Sequence, residues 1–196
     1  MSVNLQKGQK VELRKSNGGT LRKVMVGLGW DEVQQKRGLF APKPQDIDCD
    51  ASALLCQNGR IVDAKDVVFF GNLVHKSGCV RHMGDNLTGA GAGDDEQIMV
   101  DLASLPSVYD KIIVTVNIYQ AAQRRQHFGM IQNAFIRICD AETNQELCKY
   151  NLSENYTNMT AMIFGELYRY NGSWKFNAIG QATQDNTIVD LIKRFL

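Results

Sequence analysis

What this chain lacks narrows it first. No apolar run approaches the roughly 20 residues that a bilayer-spanning helix needs. The N-terminus, M-S-V-N-L-Q-K-G, has none of the apolar core of a secretory signal. The expectation is therefore a cytoplasmic protein with no direct membrane insertion. There is no basic tail and the net charge is only +1, so the electrostatic footprint of a nucleic-acid binder is missing. The short pairs Arg22-Lys23, Lys36-Arg37 and Arg124-Arg125 read as solvated surface. Five cysteines (Cys49, Cys56, Cys79, Cys139, Cys148) form an odd set with no C-x-x-C pair, which argues against a disulfide framework and against a zinc knuckle. They read instead as small buried strand residues. His75, His82 and His127 fall in no H-E-x-x-H pattern, and no G-x-S-x-G elbow is present. With no evident nucleophile or phosphate clamp, the chain is expected not to be an enzyme.

What is present is an ordinary soluble composition, 44% hydrophobic and 22% charged. The 196 residues suffice for one domain spanning 1–196 with a substantial core. Strand patterns follow one another: 9–13, 22–27, 46–56, 67–70, 79–83 and 97–102. The stretch 111–119 is β-branched almost throughout and reads as a central strand buried on both sides. Segments 134–139 and 146–152 flank a turn-rich joint, and 161–170 and 174–179 flank Asn171-Gly172-Ser173, the strongest hairpin signal. Gly27-Leu28-Gly29-Trp30-Asp31 reads as a break that ends a strand and delivers an aspartate. A short helix is expected over 121–128 and an amphipathic one over 187–196, where Ile188, Leu191, Ile192 and Phe195 share a face. Strands at short, regular spacing predict an all-β fold, an antiparallel β-sandwich with short helices, one of them C-terminal.

The most unusual stretch is G-D-N-L-T-G-A-G-A-G-D-D-E, residues 84–96. Its glycines let the backbone turn tightly, and around them stand the oxygen donors Asp85, Asn86, Thr88, the Gly89 backbone, Asp94, Asp95 and Glu96. Two unit charges at about 4 Å repel by about 4 kcal/mol near a protein surface, and a bound divalent cation reverses that repulsion. Calcium suits several oxygens in flexible geometry. A phosphate loop would want Lys-Ser/Thr where Asp94-Asp95 stands. An EF-hand would want an oxygen ligand at Leu87 and glycine at Ala90. A solvated acidic loop is the other reading. A second cluster, Asp46, Asp48 and Asp50, places carboxylates at period two, on one strand face about 7 Å apart, against the strand propensity of aspartate. It reads as a charged edge strand or as the opposite half of a shared metal site, with Asp31 joining from its turn. Asp94, Asp95 and Glu96 could also hold a catalytic metal. Alternatively, Arg124 and Arg125, or the thiols of Cys49, Cys56 and Cys79, could bind an oxyanion or a soft metal directly.

The chain also resembles the TerD family of tellurium-resistance and bacterial stress proteins. The resemblance is carried by V-G-L-G-W-D (26–31), D-I-D-C-D-A-S-A-L-L (46–55), V-F-F-G-N-L (68–73), G-D-N-L-T-G (84–89) and G-D-D-E (93–96). It continues through F-G-M-I-Q-N-A-F-I-R (128–137), Y-N-L-S-E (150–154), T-A-M-I-F-G-E-L-Y-R (160–169) and W-K-F-N-A-I-G-Q (174–181), covering almost the whole chain. It implies a calcium-binding β-sandwich, with two ions, that acts in tellurite and wider stress responses. Its implied partners are other Ter-type proteins and a TerC-like membrane protein. Where the family usually reads G-E-G-E-G before D-D-E, this chain has Gly89-Ala90-Gly91-Ala92-Gly93, and the family's glycine-rich tail after G-Q is replaced by 182–186.

Overall fold

The computed structural model describes residues 2–15, 17–32, 46–84 and 93–196. The strands are β1 (Val3–Leu5), β2 (Lys10–Glu12), β3 (Lys23–Glu32), β4 (Cys49–Cys56), β5 (Val67–Val68), β6 (Val80–His82) and β7 (Glu96–Asp101). They continue as β8 (Lys111–Ile118), β9 (Ile131–Asp140), β10 (Gln145–Asn151), β11 (Ala161–Tyr170) and β12 (Ser173–Thr183). Two six-stranded sheets result, ordered β1-β10-β9-β3-β7-β6 and β2-β12-β11-β8-β4-β5. Every strand pairing is antiparallel except β1 with β10. The inner faces pack as a sandwich around Leu28, Ile98 and Ile136 from the first sheet and Leu55, Val114 and Phe176 from the second. This is the expected fold class.

The outer face of the second sheet is covered as well. Leu54, Ile113 and Ile163 pack there beneath Leu191 of the helix α2 (Ile188–Ile192). That is why β4 is buried at every position and β8 from Ile112 to Ile118. Thr187 caps α2 by accepting the Asp190 N–H, and the chain finishes as a 3₁₀ turn, Lys193–Phe195, rather than continuing the expected α-helix. The other helix is shorter than expected too. α1 spans Ala121–Arg124, bracketed by left-handed Gln120 and Arg125, and a separate 3₁₀ turn covers Phe128–Met130. Among the described residues no helix is long and apolar enough to cross a membrane.

Turn chemistry behaves as the sequence indicates at the β11–β12 hairpin. Tyr170 pairs with Ser173 across Asn171 and Gly172, whose φ values of 49° and 77° are those of a primed turn. Two strand readings are corrected. β4 begins at Cys49, so Asp46 and Asp48 precede it and only Asp50 lies in the strand. Gly27 to Asp31 does not break β3. It continues the strand, with a shift in its pairing to β9 between Gly29 and Asp31.

Candidate functional site

The two glycines that suggested a break have a different task. A Cβ on Gly27 would run into the Asp94 carboxylate, and one on Gly29 would come within 2.5 Å of the Phe135 ring and 2.7 Å of the Gly93 carbonyl oxygen. Their bare backbone lets segment 93–95 lie directly on β3. There the Asp95 N–H donates to the Leu28 carbonyl at 2.7 Å, and the Trp30 N–H donates to Asp95 Oδ2 at 2.8 Å. The acidic stretch is thus fastened to the sheet by one main-chain bond and by one from the Trp30 N–H to the Asp95 carboxylate, immediately before it enters β7.

From that anchor, three consecutive acids diverge. Asp94 is clasped by Arg137, which donates from Nε at 2.6 Å and from Nη2 at 2.9 Å, and it also accepts from Gln97 Nε2 at 3.0 Å. This bidentate pair is strong and geometrically specific. Asp95 sits in a more hostile setting: burial pushes its carboxyl above the ordinary range, the Trp30 N–H opposes this, and the charges of Asp31 and Asp94 add to the rise. Glu96 turns inward and is 2% exposed. It reaches across to the second sheet, accepting the Ala51 N–H of β4 at 2.5 Å, and His82 Nε2 of β6 approaches it at 3.4 Å.

The second acidic cluster meets it there. Asp50 is buried in β4 and accepts from Asn117 Nδ2 of β8 at 3.4 Å. Asp48 stands 3.7 Å from Arg124 of α1, while its carbonyl accepts the Tyr119 N–H. Between the clusters lies Cys49, whose thiol is held far above its usual range by burial and then by the charges of Glu96, Asp50, Asp48 and Asp95. Asp31 accepts from Asn133 at 2.8 Å and is coupled to this group through Asp95. Asp46 is half-buried, with its carbonyl accepting from Gln126. Asp85, Asn86, Thr88 and Gly89 lie outside the described residues. Among the described residues, no group of three His, Cys, Asp or Glu side chains is arranged to hold a metal ion.

The donor chemistry fits a hard cation in part. Asp31, Asp48, Asp50, Asp95 and Glu96 are hard oxygen donors of the kind calcium takes. Asp94 fits less well, because Arg137 already neutralises it. Soft-metal chemistry fits less well: a metal-binding cysteine must be a thiolate, and burial, then the neighbouring acids, raises the Cys49 thiol, while burial pushes Cys56 up to about 12.

Sequence reasoning missed a second buried carboxylate. Asp66 Oδ1 accepts from the Tyr109 hydroxyl at 2.7 Å, Lys76 Nζ at 2.8 Å and His75 Nε2 at 3.1 Å. His75 Nδ1 in turn accepts the Ser77 N–H at 3.2 Å and lies 2.7 Å from Ser77 Oγ. Asp66, His75 and Tyr109 are all at most 3% exposed. The arrangement pins the 75–78 turn onto the sandwich edge. The one available signal was a Lys-Asp pair beside an apolar run, which has no distinctive spacing.

With this geometry in place, the likeness to known proteins is decisive. A family model described as the TerD domain matches residues 1–195. This chain belongs to the TerD family. It is 48% identical over the full length of both chains to the stress response protein SCP2 of Bacillus subtilis (strain 168). It is 47% identical to the tellurium resistance protein TerD of Serratia marcescens, over 92% of this chain and 91% of that one. Among solved structures, the telluride resistance (TerD) homologue SCO6318 from Streptomyces coelicolor A3(2) superposes with a TM-score of 0.63, covering 86% of this chain and 94% of that chain at 22% identity. That last likeness concerns the TerD fold alone.

Proposed function

We propose that this TerD-family protein is a non-catalytic, calcium-binding stress protein that works in the cytoplasm through protein partners. The observation that carries the reading is that Glu96, from the 93–96 segment, crosses to the second sheet to accept the Ala51 N–H of β4, bringing that segment against the stretch that carries Asp48 and Asp50. Two segments far apart in sequence bring like charges together, and the Asp95 carboxyl is raised by Asp31 and Asp94 as well as by burial. When bound, calcium supplies the positive charge that offsets this crowding and accepts 6 to 8 oxygens in flexible geometry. Asp31, Asp46, Asp48, Asp50, Asp95 and Glu96 are the described candidates to hold two ions, with Asp85, Asn86, Thr88 and Gly89 as the sequence's further donors. Asp94 acts as an anchor through Arg137. Partners in this reading are other Ter-type stress proteins and a TerC-like membrane protein.

Calorimetry on metal-free protein, titrated separately with calcium, magnesium and tellurite, tests the reading. Saturable calcium binding, much weaker magnesium binding and no tellurite heat are expected. Tellurite binding without calcium would replace the reading with a direct oxyanion binder. Turnover of generic phosphoesters that disappears in Asp95→Asn would replace it with a metal-dependent hydrolase.

A further inference from the structure

The outer face of the second sheet is apolar beneath α2, where Ile188 packs with Leu54 and Ile113. Ile188 also lines a neighbouring cavity of about 270 Å³. The other walls come from Tyr119 and Gln120 after β8, Ala121 and Ala122 of α1, and Phe70 beyond β5. Asp50 and Asn117 lie beneath it, 4% and 6% exposed, with the Asn117 amide turned to the Asp50 carboxylate. What the lining presents to the cavity is almost entirely carbon.

Two further observations single this cavity out. Phe70 and Tyr119 meet edge to face with ring centroids 6.5 Å apart, yet they stay 43% and 38% exposed. Two rings are thus held open to solvent beside a face where Leu54 and Leu191 are fully covered. The wall built from α1 is also strained. Gln120, which lines the cavity, and Arg125 bracket the helix in the left-handed region, with φ of 52° and 53°. The other five described non-glycine residues with positive φ are all asparagine, which tolerates that region. Backbone strain in residues less suited to it gathers at ligand clamps and active sites.

We propose that this cavity binds a small neutral aromatic molecule, the size of a substituted benzene. Apolar cavities of about 150 Å³ already take benzene, so about 270 Å³ leaves room for a ring with one or two substituents. Neutrality follows from the lining, because a charged group would leave water for a wall of carbon, which is costly without a partner. The nearby charges are committed elsewhere: Arg124 is directed at Asp48 at 3.7 Å and at the Tyr119 ring at 4.9 Å, and Asp50 accepts from Asn117. Aromatic character follows from Phe70 and Tyr119. A third ring with its centroid about 4.5–7 Å from either gains an edge-to-face or offset-stacked attraction that a saturated ring lacks. Asp50 belongs to the calcium reading, but it lies under the floor and the ligand needs no contact with it, so the proposal does not depend on that reading.

The test titrates four compounds into the full chain in chelator at neutral pH, with amide resonances followed by NMR. They are p-cresol, its saturated analogue 4-methylcyclohexanol, and two charged ring compounds, 4-methylbenzoate and benzylamine. p-Cresol should shift the resonances of 117–123 and 186–188, the segments that line the cavity. It should bind about tenfold more tightly than 4-methylcyclohexanol, the scale of two ring contacts, and more tightly than either charged compound. Phe70→Leu and Tyr119→Leu, both at exposed positions, should each bring p-cresol down toward 4-methylcyclohexanol and leave the affinity of the saturated compound unchanged. Equal affinity for p-cresol and 4-methylcyclohexanol, tighter binding of either charged compound, or p-cresol shifts lying outside these segments would overturn the proposal. Because the samples contain no calcium, such a failure leaves the calcium reading standing, and a failure of calcium to bind leaves this one standing.

Discussion

Asp66, fully buried, and Asp95, half-buried, answer the cost of leaving water in opposite ways. Around Asp66, burial raises the carboxyl, but hydrogen bonds from Lys76, Tyr109 and His75 outweigh it and hold the group below the ordinary aspartate range. Around Asp95, burial also raises the carboxyl, one backbone N–H opposes, and the neighbouring charges of Asp31 and Asp94 push the same way as burial. The first region answers its charge with three donors on one carboxylate oxygen and fastens a turn. The second gathers charge of one sign. Buried acids surrounded by donors are structural; buried acids surrounded by acids are candidates for function.

That contrast breaks most visibly at Asp66. Asp66→Ala leaves the buried Tyr109 hydroxyl and His75 ring without their acceptor and should cost about 1–3 kcal/mol for each of the two. Urea unfolding at pH 7 measures it, and calcium affinity should be unchanged. The pH dependence has a definite sign. Because the folded pKa is depressed, Asp66 contributes stability above the unfolded aspartate pKa of about 3.9, and the contribution is lost as pH falls through the folded value. Asp66→Asn should flatten that acid limb. An unchanged limb would mean that Asp66 is not held as described.

A smaller effect is expected where the glycines of β3 admit the acidic segment. Gly29→Ala forces a Cβ against Phe135 and the Gly93 carbonyl and should cost about 1–3 kcal/mol, typical of overpacking. Unlike Asp66→Ala, it should also weaken calcium binding, since 93–95 must shift off the strand. Loss of stability with calcium affinity intact would separate the glycines from the site.

Some of this was legible in the sequence and some was not, for physical reasons. The β11–β12 hairpin was legible because its turn chemistry is local to Asn171 and Gly172. β8 was legible because a strand covered on both faces is apolar at nearly every position. Gly27 and Gly29 misled, because glycine weakens a strand taken alone; the reason they are tolerated lies in Asp94 and Phe135, which no local pattern reveals. The three-residue β1 escaped because its parallel pairing to β10 is wholly non-local. The two acidic clusters were legible as clusters. The capture of Asp94 by Arg137, 43 residues away, was not, nor was the start of β4 at Cys49, which leaves Asp46 and Asp48 outside the strand.

The central claim, that the acidic corner is one cation site, is tested most directly by thermal unfolding of the wild type, Asp50→Asn, Asp95→Asn and the double variant, each in excess calcium and in chelator. Asparagine at 95 keeps an acceptor for the Trp30 N–H and removes only the charge. In chelator each single change should stabilise slightly, by at most about 1 kcal/mol in this partly solvated setting, because like-charge repulsion is relieved. In calcium each should lower the melting temperature, and the double variant should lose less than the sum, as residues sharing one partner do. Shifts of one sign in both buffers, strictly additive in the double variant, would contradict a shared site and leave two separate acidic features on the surface of the sandwich.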